Sequence, residues 1–96
     1  MSYAPKIVLL LPMSDPDLLP GFVEACLRDR VILIAIVGDD AEALHDVIDD
    51  LIVGDGSDAS RFITTTFHSD ETLEEVLAFA RIWERDRARA VEVVRL

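Results

Sequence analysis

The segment 64–71, TTTFHSDE, holds the side chains of this sequence that are best suited to proton transfer. His68 follows three consecutive threonines, and Asp70 and Glu71 come shortly after it. An imidazole exchanges protons near neutral pH, and a neighbouring carboxylate can orient its ring. We therefore predict that His68 is partly exposed and that His68, Asp70 and Glu71 are the candidate catalytic residues.

Four further polar residues are candidates for binding a ligand beside His68. Thr66 and Ser69 flank the histidine, and Ser14 and Asp39 follow two other predicted strands. Binding sites of α/β proteins lie outside the carboxyl ends of the strands, where these residues are expected. The simpler interpretation is that His68 forms local hydrogen bonds and only fixes the turn.

Strand patterns and helix patterns alternate along the chain. Apolar or β-branched runs predict strands at 6–11, 31–37, 62–67 and 91–96, and helical spacing predicts helices at about 17–29, 40–53 and 70–83. We expect Asp17 to cap the first helix, an aspartate to cap the second, and Ser69 or Asp70 to cap the third. The order predicts an α/β fold, a three-layer α/β/α sandwich around a four-stranded, mainly parallel sheet.

Two strand orders fit this pattern. Order 3-2-1-4 buries the first two strands, which are the most apolar, and we favour it for a monomer. Order 2-1-3-4 leaves the second strand as an apolar edge that a second copy would cover, so it remains open for a dimer. In order 3-2-1-4, His68 ends an edge strand and the crevice falls between the first and last strands.

Length and composition indicate one folded domain, residues 1–96. The chain is 51% hydrophobic, which is typical of a protein with its own core. A single cysteine, Cys26, excludes an internal disulfide and a thiolate-rich zinc site. The longest apolar runs, 7–11 and 31–37, are too short to cross a membrane. We predict a cytoplasmic protein that does not contact a membrane.

The charge is strongly negative and unevenly placed. The net charge is −10, and twelve acidic residues lie between positions 39 and 75 with Arg61 as the only arginine or lysine. A protein that binds nucleic acid needs clustered basic residues. The sequence therefore predicts no nucleic-acid partner.

No cofactor or metal motif is complete. The segment 54–59, GDGSDA, has the letters of a dinucleotide fingerprint, but it follows a helix and precedes a strand, the reverse of the order that binds pyrophosphate. Acids gather where predicted strands end, at Asp15, Asp17, Asp39, Asp40, Asp70 and Glu71. Each is explained as a helix cap or a first-turn acid. We predict neither a cofactor nor a metal.

The segments 62–80, FITTTFHSDETLEEVLAFA, and 38–52, GDDAEALHDVIDDLI, resemble a family of small bacterial proteins of unknown function. The shared pattern is Thr-Thr-x-His-x-Asp-Glu, and the upstream match centres on Asp39, His45 and Asp46. The resemblance covers residues 36–81. Since that family has no known activity, the resemblance implies no role for these residues.

We predict first a non-enzymatic interaction or regulatory domain that forms a homodimer or binds an unidentified protein. The reasons are small size, an acidic surface and the lack of a complete catalytic set. The alternative is a small-molecule-binding or hydrolytic site at the carboxyl edge of the strands, centred on His68. A third interpretation is an acidic mimic that blocks a basic partner.

Overall fold

A computed structural model describes residues 2–85 and 88–96 of the chain. It contains the strands β1 (Lys6–Leu10), β2 (Leu33–Val37), β3 (Thr64–His68) and β4 (Val91–Val94), and the helices α1 (Leu19–Arg28), α2 (Ala41–Val53) and α3 (Leu73–Ile82). Short 3-10 turns occupy Pro16–Leu18 and Trp83–Arg85. The alternating order predicted from the sequence is confirmed.

The sheet is parallel throughout and has the order β3-β2-β1-β4. The favoured prediction is confirmed, and the alternative order 2-1-3-4 is wrong. The physical reason is burial: β1 and β2 lie inside the sheet, where Ile7, Val8 and Leu9 and all of β2 are buried. The less apolar β3 and β4 form the two edges.

The helices cover both faces of the sheet, which makes three layers. Successive residues of a strand point to opposite faces, and the two inner strands supply both cores. Helices α1 and α2 pack on the face that carries Ile7, Leu9, Ile34 and Ile36. Helix α3 packs on the face that carries Val8, Leu33, Ala35 and Val37. The connection from β3 to β4 runs back across the sheet, in the direction opposite to the first two connections. A right-handed crossover in that direction must pass over the other face of the sheet, which is where α3 lies.

The helix starts differ from the sequence prediction. Asp40 occupies the N-cap position of α2, but its side chain makes no capping hydrogen bond. Asp15, and not Asp17, acts as a cap: its carboxylate accepts from the Asp17 amide and starts the 3-10 turn before α1. Helix α3 is capped by Thr72 and not by Ser69 or Asp70. The Thr72 hydroxyl accepts from the Glu75 amide at 3.2 Å, and the Glu75 carboxylate accepts from the Thr72 amide at 2.9 Å. These bonds hold the pKa of Glu75 below its ordinary value.

Lys6, the only lysine of the chain, is fully buried at the start of β1. Its Nζ donates to the Ala80 carbonyl at 2.9 Å and lies 3.4 Å from the Arg81 carbonyl. Both carbonyls belong to the last turn of α3, where the helix dipole is negative and a cation is stabilising. The apolar run 6–11 predicts a buried strand from Lys6 onward, but it does not show which groups accept from the buried ammonium. Lys6 joins α3 to the sheet.

Arg61 fixes the entry to β3. Its guanidinium makes two bonds to the Glu24 carboxylate, at 3.0 and 2.6 Å, and donates to the carbonyls of Leu51 and Ile52. The end of α2, the helix α1 and the start of β3 are thereby held together. The ion pair lowers the pKa of Glu24 and raises the pKa of Arg61.

Candidate functional site

His68 lies at the end of β3 with both ring nitrogens in hydrogen bonds. Nδ1 is 2.8 Å from Oε1 of Glu71, and Nε2 is 2.9 Å from Oγ1 of Thr66. The ring also contacts Phe79 of α3, with centroids 4.9 Å apart. Residues 66 and 68 share one face of the strand, and the turn before α3 brings Glu71 back over them. His68 is 8% exposed, so the expectation of a part-exposed ring is wrong.

The three side chains form a directed chain of hydrogen bonds. An ionised Glu71 can only accept, so Nδ1 of His68 carries the hydrogen and donates it. In the neutral ring Nε2 is then the acceptor for the Thr66 hydroxyl. Carboxylate, imidazole and hydroxyl stand in the order in which a base activates a nucleophile. The same bonds also satisfy a buried ring, so the geometry fits a structural role as well.

The other predicted site residues lie in three different places. Asp70 is exposed and makes no hydrogen bond or ion pair within residues 2–85 and 88–96. Ser69 lines a shallow depression together with Asp39. The amide of Ser14 donates to the Leu96 carbonyl at 2.5 Å, which places Ser14 beside β4, at the opposite edge of the sheet from His68. The structure therefore groups Thr66, His68 and Glu71 and separates Ser14 from them.

A groove of about 700 Å³ opens at the carboxyl ends of β1 and β2. It is lined by residues that follow each strand and by one face of α2, namely Leu11, Pro12, Met13, Gly38, Asp39, Asp40, Ala43, Leu44 and Val47. The sequence prediction placed the crevice between β1 and β4. At that edge the amides of Ser14 and Asp15 both donate to the Leu96 carbonyl, so the loop after β1 lies against the chain that follows β4. Of the predicted ligand contacts, only Asp39 lines the groove.

The absence of a side chain at Gly38 lets the residue after β2 approach Leu11, the residue after β1, at the bottom of the groove. Gly38 has φ +133°, and a Cβ at this position would lie 2.7 Å from the Cβ of Leu11. Only glycine fits such a close approach with a positive φ. A glycine directly after an apolar strand is the sequence signal for this feature.

A second histidine lies on the other face of β3. The ring of His45 on α2 meets Phe67 edge-on at 5.0 Å, and its Nε2 is 3.5 Å from Asp49. The other oxygen of Asp49 accepts from the Thr65 hydroxyl. Spacing of four residues on a helix brings His45 and Asp49 together, and the place of this pair beside an exposed edge strand was not predicted.

Within residues 2–85 and 88–96, no three His, Cys, Asp or Glu side chains are arranged to hold a metal ion. No helix in the same ranges is long and apolar enough to cross a membrane.

The family model for the domain of unknown function DUF7684 matches residues 4–95. The chain belongs to this family. The DUF7684 match spans all four strands and all three helices described above, and it agrees with the resemblance to a family without a known activity. The curated proteins and the solved structures give no match.

Proposed function

We propose that this DUF7684 domain is a cytoplasmic interaction domain that self-associates through the outer edge of β3. The observation that carries the proposal is an uncharged segment, residues 62–67, that runs into the edge strand β3 and carries two exposed phenyl rings in a chain of net charge −10. Unpaired sheet edges are templates for pairing with another chain, and proteins that stay monomeric cover them or place charges on them.

The backbone of β3 is open on one side. The Thr64 amide donates to Ile32, and the His68 carbonyl accepts from Gly38, so these two residues face β2. Successive residues of a strand alternate in direction, and the N–H and C=O groups of Thr65 and Phe67 therefore point outward. These groups are the donors and acceptors that a further strand would use.

The side chains along this edge are apolar or hydroxylic. From residue 62 to residue 67 there is no charged side chain, and Phe62 and Phe67 are 73% and 43% exposed. Fully burying one phenyl ring contributes about 1.5–3 kcal/mol. A dimer would bury two such rings from each copy.

Antiparallel pairing about a twofold axis at Thr66 uses every outward group of the strand. It places Thr65 of one copy opposite Phe67 of the other, and each such pair exchanges two backbone hydrogen bonds. A standard interface buries about 800 Å² per partner, roughly one seventh of the 5939 Å² surface of this chain. The acidic side chains of α2 and of the turn before α3 must then approach their copies, so salt should strengthen the dimer by screening their repulsion.

Light scattering after size-exclusion chromatography tests the proposal from micromolar to near-millimolar protein, at low and high salt. We expect dimers that increase with concentration and with salt. Phe62→Lys and Phe67→Lys should weaken them, because each replaces a phenyl ring that the interface would bury with a strongly hydrated ammonium group. Val93→Lys is the matched control, since Val93 is 42% exposed on the opposite edge strand. A monomer under all conditions, or dimers lost only in Val93→Lys, would contradict the proposal.

The Thr66–His68–Glu71 chain favours one second candidate, a hydrolytic function with Thr66 as nucleophile, His68 as base and Glu71 as the residue that orients it. Turnover of p-nitrophenyl acetate tests it. The activity should disappear in Thr66→Val and Glu71→Ala and persist in Asp70→Ala, the adjacent exposed acid. Equal turnover in all variants and in buffer would exclude it.

A further inference from the structure

We propose that the groove at the carboxyl ends of β1 and β2 binds a small organic cation with an apolar body, such as an alkylamine. The groove lies over β1 and β2, and the inference does not depend on self-association through the β3 edge. Three observations carry the inference: the size of the groove, its apolar floor, and the unpartnered carboxylates at its rim.

The groove has the size and lining of a ligand site. Its volume of about 700 Å³ falls within the range of about 300–1,000 Å³ found for small-molecule pockets. Leu11, Pro12 and Met13 form one wall, and Leu44 and Val47 form the other. Val47 is 48% exposed although it lies next to the core, so an apolar ligand body would cover surface that is now in water.

Asp39 and Asp40 stand at the rim, and the fold does not use their carboxylates. Asp40 occupies the N-cap position of α2, but its side chain accepts no hydrogen bond there. The Ala41 amide, at the first position of the helix, donates to the Gly38 carbonyl. Within residues 2–85 and 88–96, neither carboxylate has a hydrogen bond or an ion pair. By contrast, Thr72 at the start of α3 makes its capping bonds.

The charge around the groove selects a cation. Asp39 and Asp40 also line an adjoining depression of about 520 Å³, together with Glu42, Asp46 and Ser69. The start of α2 contributes about half a positive charge, which is smaller than four carboxylates at neutral pH. Among the described residues, no lysine or arginine lines either depression. An ammonium group over Asp39 and Asp40 would relieve their mutual repulsion while the apolar body fills the groove.

NMR titration of the 15N-labelled full chain tests the proposal with three probes that share one alkyl chain: n-octylamine, n-octanol and n-octanoate. We expect octylamine to shift the amides of Gly38, Ala43 and Val47 in a saturable way. Octanol should bind more weakly and octanoate most weakly. Higher ionic strength should weaken the binding of octylamine and leave octanol unchanged.

A charge-matched pair of variants separates the site from the general acidity of the chain. Asp39→Asn with Asp40→Asn should lower the affinity for octylamine by about tenfold, since each of the two carboxylates forms an exposed ion pair that contributes up to about fivefold. Asp50→Asn with Glu74→Gln removes the same charge outside the groove and should change little. Ala43→Phe should block the binding of all three probes by filling the groove. If the Ala43→Phe variant fails to fold, the two charge variants still test whether the groove is the binding site.

Several outcomes would overturn the inference. These are no saturable shifts, equal binding of octylamine and octanol, tighter binding of octanoate, or an equal loss in both charge variants. If a Lys-Leu peptide saturates the groove while octylamine does not, the occupant is a basic segment of a partner protein and the small-cation assignment is wrong.

Discussion

Nδ1 of His68 lies 2.8 Å from the carboxylate of Glu71, which begins the turn into α3. The two residues are three positions apart, so local sequence alone brings them into reach. What the local sequence does not supply is the ring of Phe79 from α3, which covers the imidazole. The contact joins the exposed edge strand to the helix layer behind it.

Removing Glu71 should therefore destabilise the fold. Glu71→Ala leaves the Nδ1–H of a buried ring without an acceptor, which costs about 1–3 kcal/mol in the free energy of unfolding. Asp70→Ala is the control, because an exposed acid without a partner contributes less than about 0.5 kcal/mol. Urea denaturation measures both. Equal stability of the two variants would show that the contact does not hold the turn.

Lys6→Met should destabilise the end of α3. The variant keeps the apolar stem, but it leaves the carbonyls of Ala80 and Arg81 without their ammonium donor, and we expect a loss of about 1–3 kcal/mol. Hydrogen exchange should show the loss of protection concentrated in the last turn of α3. Arg28→Met removes an exposed cation paired with Asp29 at 3.2 Å and should cost less than about 1 kcal/mol. A Lys6→Met protein as stable as the wild type would contradict this role.

Cys26 should make the stability fall at alkaline pH. Burial raises the pKa of its thiol from 9.0 to about 12, so the folded chain keeps a proton that the unfolded chain loses. The contribution of the buried, protonated thiol to the free energy of unfolding is complete below about pH 9 and decreases as the pH rises toward 12. Unfolding curves of wild type and Cys26→Ala should converge over that range. Iodoacetamide should modify Cys26 only after unfolding, and rapid labelling of the native protein at neutral pH would show that the thiol is accessible.

Replacing Gly38 or Gly21 with alanine should change the free energy of unfolding in opposite directions. Gly38→Ala places a Cβ 2.7 Å from Leu11 at a φ of +133°, and we expect a loss of more than about 1 kcal/mol. Gly21 lies inside α1 with no atom within 4 Å of the added Cβ. Gly21→Ala should stabilise the protein by about 0.5–1 kcal/mol. Thermal unfolding measures both, and a tolerated alanine at Gly38 would mean that the strands below the groove can separate.

The layer architecture and the strand order could be predicted because they depend on periodicity and burial. The runs at 6–11 and 31–37 are apolar throughout, and only inner strands of a parallel sheet are buried on both faces. The helix starts could not be predicted to the residue. Asp15, Asp17, Ser69, Asp70 and Thr72 are all competent caps, and small differences in backbone angle choose among them.

The sequence by itself determined the α/β class, the parallel sheet, the net charge of −10 and the closeness of His68 along the chain to several possible partners. The structure selected Thr66 and Glu71 from among them. Spacing of two and three residues and hydrophobic periodicity are properties of the chain before it folds. The tertiary structure alone decided that His68 is buried, that the ammonium of Lys6 binds the last carbonyls of α3, and that the groove lies over β1 and β2. These features need contacts between residues far apart in the chain, such as Lys6 with Ala80 or Ser14 with Leu96. Packing fixes such contacts, and no local pattern encodes them.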